Sequence, residues 1–397
     1  MEEEMNVGEL LKEIAEVSAG QGAPQGDSNY CEDGIPFVKA GNLLELTEGK
    51  SIYGIQKVSE EVAKKHRLKL YKKGTILFAK SGMSCLKGYV YVLPCAAYVV
   101  SHLACVTPKE DISEYLKYYF CYHRPNQLVK DEAYPSISLS DIGCLEINTQ
   151  DAAHRDMVVA SLRKISLIIE MRKQQLAQLD NLIKARFVEL FGDLASPECK
   201  WKVEKLVDAC ADPDDIKCGP FGTQLNKDEY QSDGVAVWEI PQINSRFSTI
   251  PTHYLSESKA KQLESYSIKP GDIAMSRKGN VGKCAVFPSD FEAGIIHSDV
   301  LRIRVDSRCA LPVFMMHQLH YSRAVQHQIE LVSSGAIMAG INVTKLKQIC
   351  VHIPPLKLQE QFAAFVEHVD KSKVVVQNDI KQTIVKRIFL DRSGCHV

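Results

Sequence analysis

The second half of this 397-residue chain retraces the first at an offset of roughly 200 residues, far beyond the period of a solenoid repeat. The fold is therefore one plan written twice. Val7-Gly8-Glu9-Leu10-Leu11 stands beside Val203-Glu204-Lys205-Leu206-Val207, and a Gly/Pro-rich stretch follows in each half, Ala19-Gly20-Gln21-Gly22-Ala23-Pro24 or Cys218-Gly219-Pro220-Phe221-Gly222. Gly34–Leu43 and Gly234–Asn244 each read as a buried strand ending in a polar turn. Lys73–Gly82 and Pro270–Gly279 each combine a glycine turn, an apolar strand and a basic glycine loop. Further strands follow at Gly88–Val92 and Val100–Val106, and at Lys283–Phe287 and Ile296–Ile303. Each half thus predicts a compact β-rich unit with flanking helices.

Each half closes on a long helical pattern, from about His154 to Phe191 and from about Leu358 to Leu390. In the first, Leu162, Ile165, Ile169, Leu176, Leu179, Ile183 and Leu190 fall on alternating three- and four-residue steps, with Arg172 and Arg186 completing the heptads as two cations in an apolar seam. The second carries Phe362, Phe365, Val369, Val376, Ile380, Ile384 and Ile388 at similar spacing, entered through Pro354-Pro355. The two helices can pair with each other. Such pairing is antiparallel, with pseudo-two-fold symmetry, if the β-rich units lie at opposite ends; two helices packed separately on their own domains remain the alternative.

Composition narrows the classes. With 45% hydrophobic and 24% charged residues the chain is an ordinary globular protein, large enough for two or three domains. It has no uninterrupted apolar run of about 18 residues, and its amino terminus, Met1-Glu2-Glu3-Glu4-Met5, is acidic. These features predict a cytoplasmic protein. The 13 cysteines are scattered, many in apolar segments as at Cys95, Cys105, Cys144, Cys284 and Cys350, and read as reduced, buried thiols. No Cys-x-x-Cys pair marks a zinc site. A net charge of −1 argues against wrapping DNA by bulk electrostatics, so any DNA contact must be patterned or shared with partners.

The order β-rich unit, long helix, β-rich unit, long helix resembles the specificity subunits of type I restriction-modification systems. The segments that carry the resemblance are Gly219–Leu225, Gly271–Gly279, Ile353-Pro354-Pro355-Leu356 and Phe187–Gly192. Glu146-Ile147-Asn148-Thr149 stands where the first half would have its own Pro-Pro step, which blurs that boundary. The resemblance implies an α+β chain of four segments: a target-recognition domain at 1–150, a spacer helix at 151–193, a second recognition domain at 194–356 and a C-terminal spacer helix at 357–397. It further implies a bipartite, asymmetric double-stranded DNA target, two modification (methyltransferase) subunits held by the helices, and restriction subunits docked on that core.

Base reading needs directional donors and acceptors, held in place by separate phosphate contacts. Lys80, Ser81 and Lys87 in the first half, and Ser276, Arg277, Lys278 and Lys283 in the second, surround loop glycines that let backbone approach a phosphate. Lys39 with Asn42, and Gln242 with Asn244, occupy strand ends and are the candidate base contacts, a hydrogen-bonded turn being the alternative. His102 and His297 lack an acid or nucleophile at useful spacing and read as structural histidines. There is no phosphate loop, nucleophile elbow, methyltransferase motif or paired acidic nuclease signature. The expectation is a non-catalytic reader without cofactor or metal; the recognition part of another restriction-methylation system and a coiled-coil scaffold are the alternatives. About 35 helical residues at ~1.5 Å each span roughly 50 Å, or about 15 base pairs between reading heads.

Overall fold

The computed structural model describes residues 8–148, 152–333 and 340–395; Val7 and Thr149, named above, lie outside them. The chain divides into two compact units, Met1–Lys173 with Gln377–Val397, and Gln174–Val376. Each unit therefore takes a portion of both long helices.

The first unit contains strands β1 (Glu9–Leu10), β2 (Ala15–Ala19), β3 (Ile35–Val38), β4 (Lys57–Val58), β5 (Ile76–Ala79), β6 (Val90–Val92), β7 (Tyr98–Val99), β8 (Leu103–Pro108) and β9 (Glu146–Ile147). They form a four-stranded sheet in the order β2-β8-β5-β6, a three-stranded sheet β4-β3-β7, and the two-stranded closure β1-β9. The pairing of β3 with β7 is parallel and that of β5 with both neighbours antiparallel. The run Ile76-Leu77-Phe78-Ala79 is apolar throughout because β5 is buried on both faces. Leu77 and Ala79 join the core shared with Phe37, Val58 and Val99. Ile76 and Phe78 face the opposite core, under the helix Ser113–Tyr122 with Leu116 and Phe120. The period of two thus splits one strand between two cores.

The second unit repeats the plan with β10 (Lys202–Lys205), β11 (Ile216–Cys218), β12 (Val235–Trp238), β13 (His253–Leu255), β14 (Ser267–Ile268), β15 (Ile273–Ser276), β16 (Cys284–Val286), β17 (Gly294–Ile296), β18 (Val300–Ile303) and β19 (Cys350–Ile353). Sheet orders are β11-β18-β15-β16, β13-β12-β17-β14 and β10-β19. Ile273 and Met275 face Met315 and Leu319, whereas Ala274 faces Trp238 and Phe287. The correspondence extends to single bonds. Gly20 N donates to Leu103 O and Gly219 N to Val300 O, both at 3.2 Å. A Cβ on Gly20 would meet Val99 O at 2.2 Å, and one on Gly219 would meet His297 O at 2.3 Å. Only glycine fits either crossing.

The long helices run Ala152–Phe191 and Leu356–Cys395. Within the second unit they are antiparallel: Phe187 packs on Phe362 with ring centroids 5.4 Å apart, and the Lys373 ammonium lies 2.8 Å from Asp180 Oδ1. In the first unit Arg172 pairs with Asp379 at 3.1 Å. Of the expected seam residues, Leu162, Ile169, Ile183, Phe362, Val369 and Val376 are buried, and Ile165, Leu176, Leu179, Leu190, Phe365 and Ile380 are half-buried; the side chain of Ile388 lies outside the described residues. One assignment is corrected and three inward residues, Phe187, Phe191 and Lys373, are added. Ile384 is exposed, and its neighbour Thr383 is half-buried and donates to Asp379 O at 2.7 Å. Phe187 and Phe191 join the seam beside Arg186, which is half-buried over the Phe365 ring, because there the helix enters the aromatic cluster of Phe314 and Phe362. The seam also carries a buried cation that the pattern missed, Lys373. The buried-thiol expectation fails at Cys144 and Cys350, which are exposed.

Candidate nucleic-acid interface

The parallel strands β3 and β7 end together, and the chain leaving them forms one edge of the first unit. Val100 N donates to Val38 O at 3.0 Å and Lys80 N to His102 O at 2.9 Å, so the ends of β3, β5 and β7 are tied at this edge. The loop from Asp131 to Ile137 joins it: Gly82 N donates to Pro135 O and Ile137 N to Lys80 O. Gly82 makes this turn with φ of +76°, a conformation that L side chains rarely adopt.

The second unit makes the same edge. His297 N donates to Trp238 O at 2.9 Å, Arg277 N to Asp299 O at 3.0 Å and Ile341 N to Arg277 O at 3.1 Å, and Gly279 turns with φ of +68°. These bonds equate Lys80 with Arg277, Ser81 with Lys278, and His102 with Asp299. The frame is shared and the chemistry on it differs. Ser81 Oγ lies 2.8 Å from His102 Nδ1, whereas Lys278 Nζ lies 2.8 Å from Asp299 Oδ1. A hydroxyl–imidazole pair in one half is replaced by an ammonium–carboxylate pair in the other.

The candidate residues separate on this frame. Lys39 is half-buried over the Tyr30 ring, 4.4 Å from its centroid, and donates from Nζ to Gln56 Oε1 at 2.6 Å. Asn42 accepts from Lys39 N at 2.9 Å and so caps its own turn. Lys80 and Ser81 lie at the edge, and Lys87 is exposed at the end of the turn Met83–Lys87. In the second unit Arg277 lies over the Phe221 ring at 4.7 Å and donates to Ser298 O at 3.2 Å. Lys278 shares that edge; Lys283 is half-buried, and its carbonyl accepts from Ser276 N at 2.8 Å.

Two assignments to DNA are corrected by burial. Ser276 is fully buried at the end of β15. Gln242 is 2% exposed, its amide accepting from Glu239 N at 3.2 Å and donating to Ile250 O at 3.0 Å. Gln242 is therefore the structural counterpart of Asn42, both being caps. Asn244 ends the short helix Ile240–Asn244 with Oδ1 buried, unpartnered among the described residues.

Glu239 and His253, which no sequence motif marks, also stand at this edge. Glu239 occupies the place of Lys39 and lies 2.7 Å from His253 Nδ1, and His253 stacks on Tyr230 with centroids 4.5 Å apart. The register β3-β4 beside β12-β13 equates Gln56 with His253. His102 is exposed, and His297 Nδ1 accepts from Asp299 N at 3.2 Å. No cluster of His, Cys, Asp or Glu suited to a metal occurs among the described residues. No described helix is long and apolar enough to cross a membrane.

A duplicated α+β frame that varies its polar edge between copies defines a class of protein that presents two different surfaces on one scaffold. Comparison with known proteins gives that class its family. The type I restriction modification DNA specificity domain matches residues 2–179 and again 214–386, so the chain belongs to that family. A curated relative from Methanocaldococcus jannaschii, the type I restriction enzyme MjaIX specificity subunit, is 32% identical over 139 residues, covering 33% of this chain and 31% of that one. The putative MjaX specificity subunit of the same organism is 23% identical over 199 residues, covering 48% and 45%. The matches therefore span under half the length of these relatives. The S subunit of a type I system from M. genitalium aligns over 100% of this chain and 98% of its own, with a TM-score of 0.53 at 12% identity. A chain from a structure of type I R-M complex assembly and conformational transition aligns over 97% and 95%, with a TM-score of 0.57 at 16% identity. Both likenesses concern the fold.

Proposed function

We propose that this chain is the non-catalytic specificity subunit of a type I restriction-modification complex. Each β-rich unit reads one half of a bipartite, asymmetric double-stranded DNA site, and the paired helices hold two modification subunits onto which restriction subunits dock. The observation that carries this reading is the duplicated edge: identical backbone ties at Lys80 and Arg277, with different side chains mounted on them. Two copies reading the same half-sequence would have no use for that divergence. The chain works without cofactor or metal, the chemistry residing in its partners, and acts in the cytoplasm.

Co-expression with the modification subunits, followed by sequencing of methylated positions in host DNA, tests this. The expected result is a split motif whose second half alone changes when residues 200–350 are exchanged for those of a related chain. Unmethylated DNA despite a stable, DNA-bound complex would sink the modification role, and failure to form any complex would favour a scaffold for other proteins.

A further inference from the structure

Three positions at the duplicated edge form a pattern that the family assignment does not supply. In the first unit Tyr30, Lys39 and Gln56 make one cluster; in the second Tyr230, Glu239 and His253 make another at equivalent places. The equivalence rests on backbone. The isolated bridges Cys31 with Lys57 and Gln231 with Tyr254 place Tyr30 and Tyr230 at the same point. Lys39 N and Glu239 N are each capped by the amide oxygen three residues on, Asn42 or Gln242. The frame and the tyrosine are retained while the charge standing on the frame is inverted.

Both clusters keep unused hydrogen-bonding capacity. Lys39 Nζ has three donors and uses one on Gln56, whose amide nitrogen is unpartnered among the described residues. Glu239 engages His253 and Thr252 through Oε2, leaving Oε1 and His253 Nε2 without a partner among the described residues. Gln56 is exposed and the His253 side chain is 42% exposed, so both clusters are reachable by a ligand. The tyrosines buttress them, Tyr30 through the ammonium over its ring and Tyr230 through the stacked imidazole.

We propose that Tyr30–Lys39–Gln56 and Tyr230–Glu239–His253 are equivalent base-reading trios, the first taking a guanine through Lys39 and the second a cytosine through Glu239. A lysine ammonium suits the O6 and N7 acceptors of guanine, and a carboxylate accepts from the N4 amino group of cytosine. The tyrosines are positioning residues that hold the reading side chains against the groove. This inference rests on the specificity-subunit reading and assigns residues within it.

The test uses the full chain in complex with its modification subunits, selected against a random duplex DNA library. Wild type yields a split motif. Lys39→Met is expected to lose a guanine preference at one position of one half, and Glu239→Gln a cytosine preference at one position of the other, each by roughly 5- to 150-fold. The remaining positions keep their preferences. Should either variant melt early or fail to assemble, Gln56→Ala and His253→Gln, at the exposed member of each trio, take its place and are expected to weaken the same position. A wild-type motif retained at every position by assembled variants overturns the trio assignment alone; a wild-type complex that selects no motif overturns both it and the reading on which it rests.

Discussion

At the scale of single residues, the two units solve one structural problem with different chemistry. The residue preceding β5 or β15 faces the strand β8 or its continuation beyond β18. In the first unit these are Thr75 and Thr107, hydroxyls 3.1 Å apart; in the second they are Asp272 and Arg304, joined by two bonds of 2.7 Å. The hydrogen bonds to Asp272 raise the Arg304 pKa above its ordinary value. The Asp272 side chain is 3% exposed and that of Arg304 is 35% exposed. Breaking the pair leaves a buried carboxylate without its guanidinium, which costs far more than the intact pair contributes. Arg304→Ala is therefore expected to destabilise the protein by about 2–4 kcal/mol, somewhat below the ~3–5 of a fully buried pair because solvent screens the part-exposed guanidinium, read as a lower urea midpoint. The double change Asp272→Thr with Arg304→Thr, which installs the first unit's solution, should recover most of that loss. A double variant no more stable than Arg304→Ala would show that the two frames are not interchangeable at this point.

Among the elements, the helix Pro312–Tyr321 meets the long helices through His317, which is 5% exposed, packs on Phe362 and lies with Nδ1 2.7 Å from Val313 O. Burial lowers the His317 pKa to about 4 from an ordinary 6.5, the charged form being the one penalised. The unfolded chain then binds a proton that the folded chain refuses, so stability is complete above pH 6.5 and is lost as pH falls toward 4. Between pH 7 and pH 5 this histidine should cost about 2 kcal/mol. His317→Gln should remove that part of the pH dependence, measured as urea midpoints at the two pH values; identical slopes in variant and wild type would refute the assignment. Its partner on the helix Leu356–Cys395 carries the packing test. Phe362 is fully buried among Phe187, Phe191 and His317, and Phe362→Ala is expected to cost about 3–5 kcal/mol, checked by thermal melting.

Those elements also show what was legible in the chain before its structure. The duplicated strands were, because runs such as Ile76–Ala79 and Ile273–Ser276 are buried on both faces and permit little else. The helices were, because their stripe holds step over most of their length. The stripe failed where its period changed: beyond Ile183 the inward residues Phe187 and Phe191 follow at steps of four, the drift of a straight helix leaving a heptad. Gln242 and Ser276 misled because a polar side chain at a strand end reads as exposed, whereas one caps a turn and the other is fully buried. The trios were out of reach because Gln56 and His253 lie across loops of unequal length from Lys39 and Glu239, and only strand register equates them.

For the whole molecule, the balance of charge sets how DNA binding must be organised. A net charge of −1 gives no general attraction to a polyanion, so affinity in the proposed role has to come from local contacts at the two edges and from cationic surface on the modification subunits. Counterion release makes the distinction measurable, since each phosphate neutralised steepens the dependence of log K on log salt by about 0.9. The chain alone is expected to bind duplex DNA weakly with a shallow slope, limited to the few cations at each edge such as Lys80, Lys87, Arg277 and Lys278. The complex with its modification subunits should bind tightly with a slope steeper by several units. Titration of a labelled duplex from 50 to 200 mM salt compares the two. Equal slopes would mean that the partners add no phosphate contacts, and the chain's own edges would then have to account for all of the affinity, which their handful of cations leaves little room for.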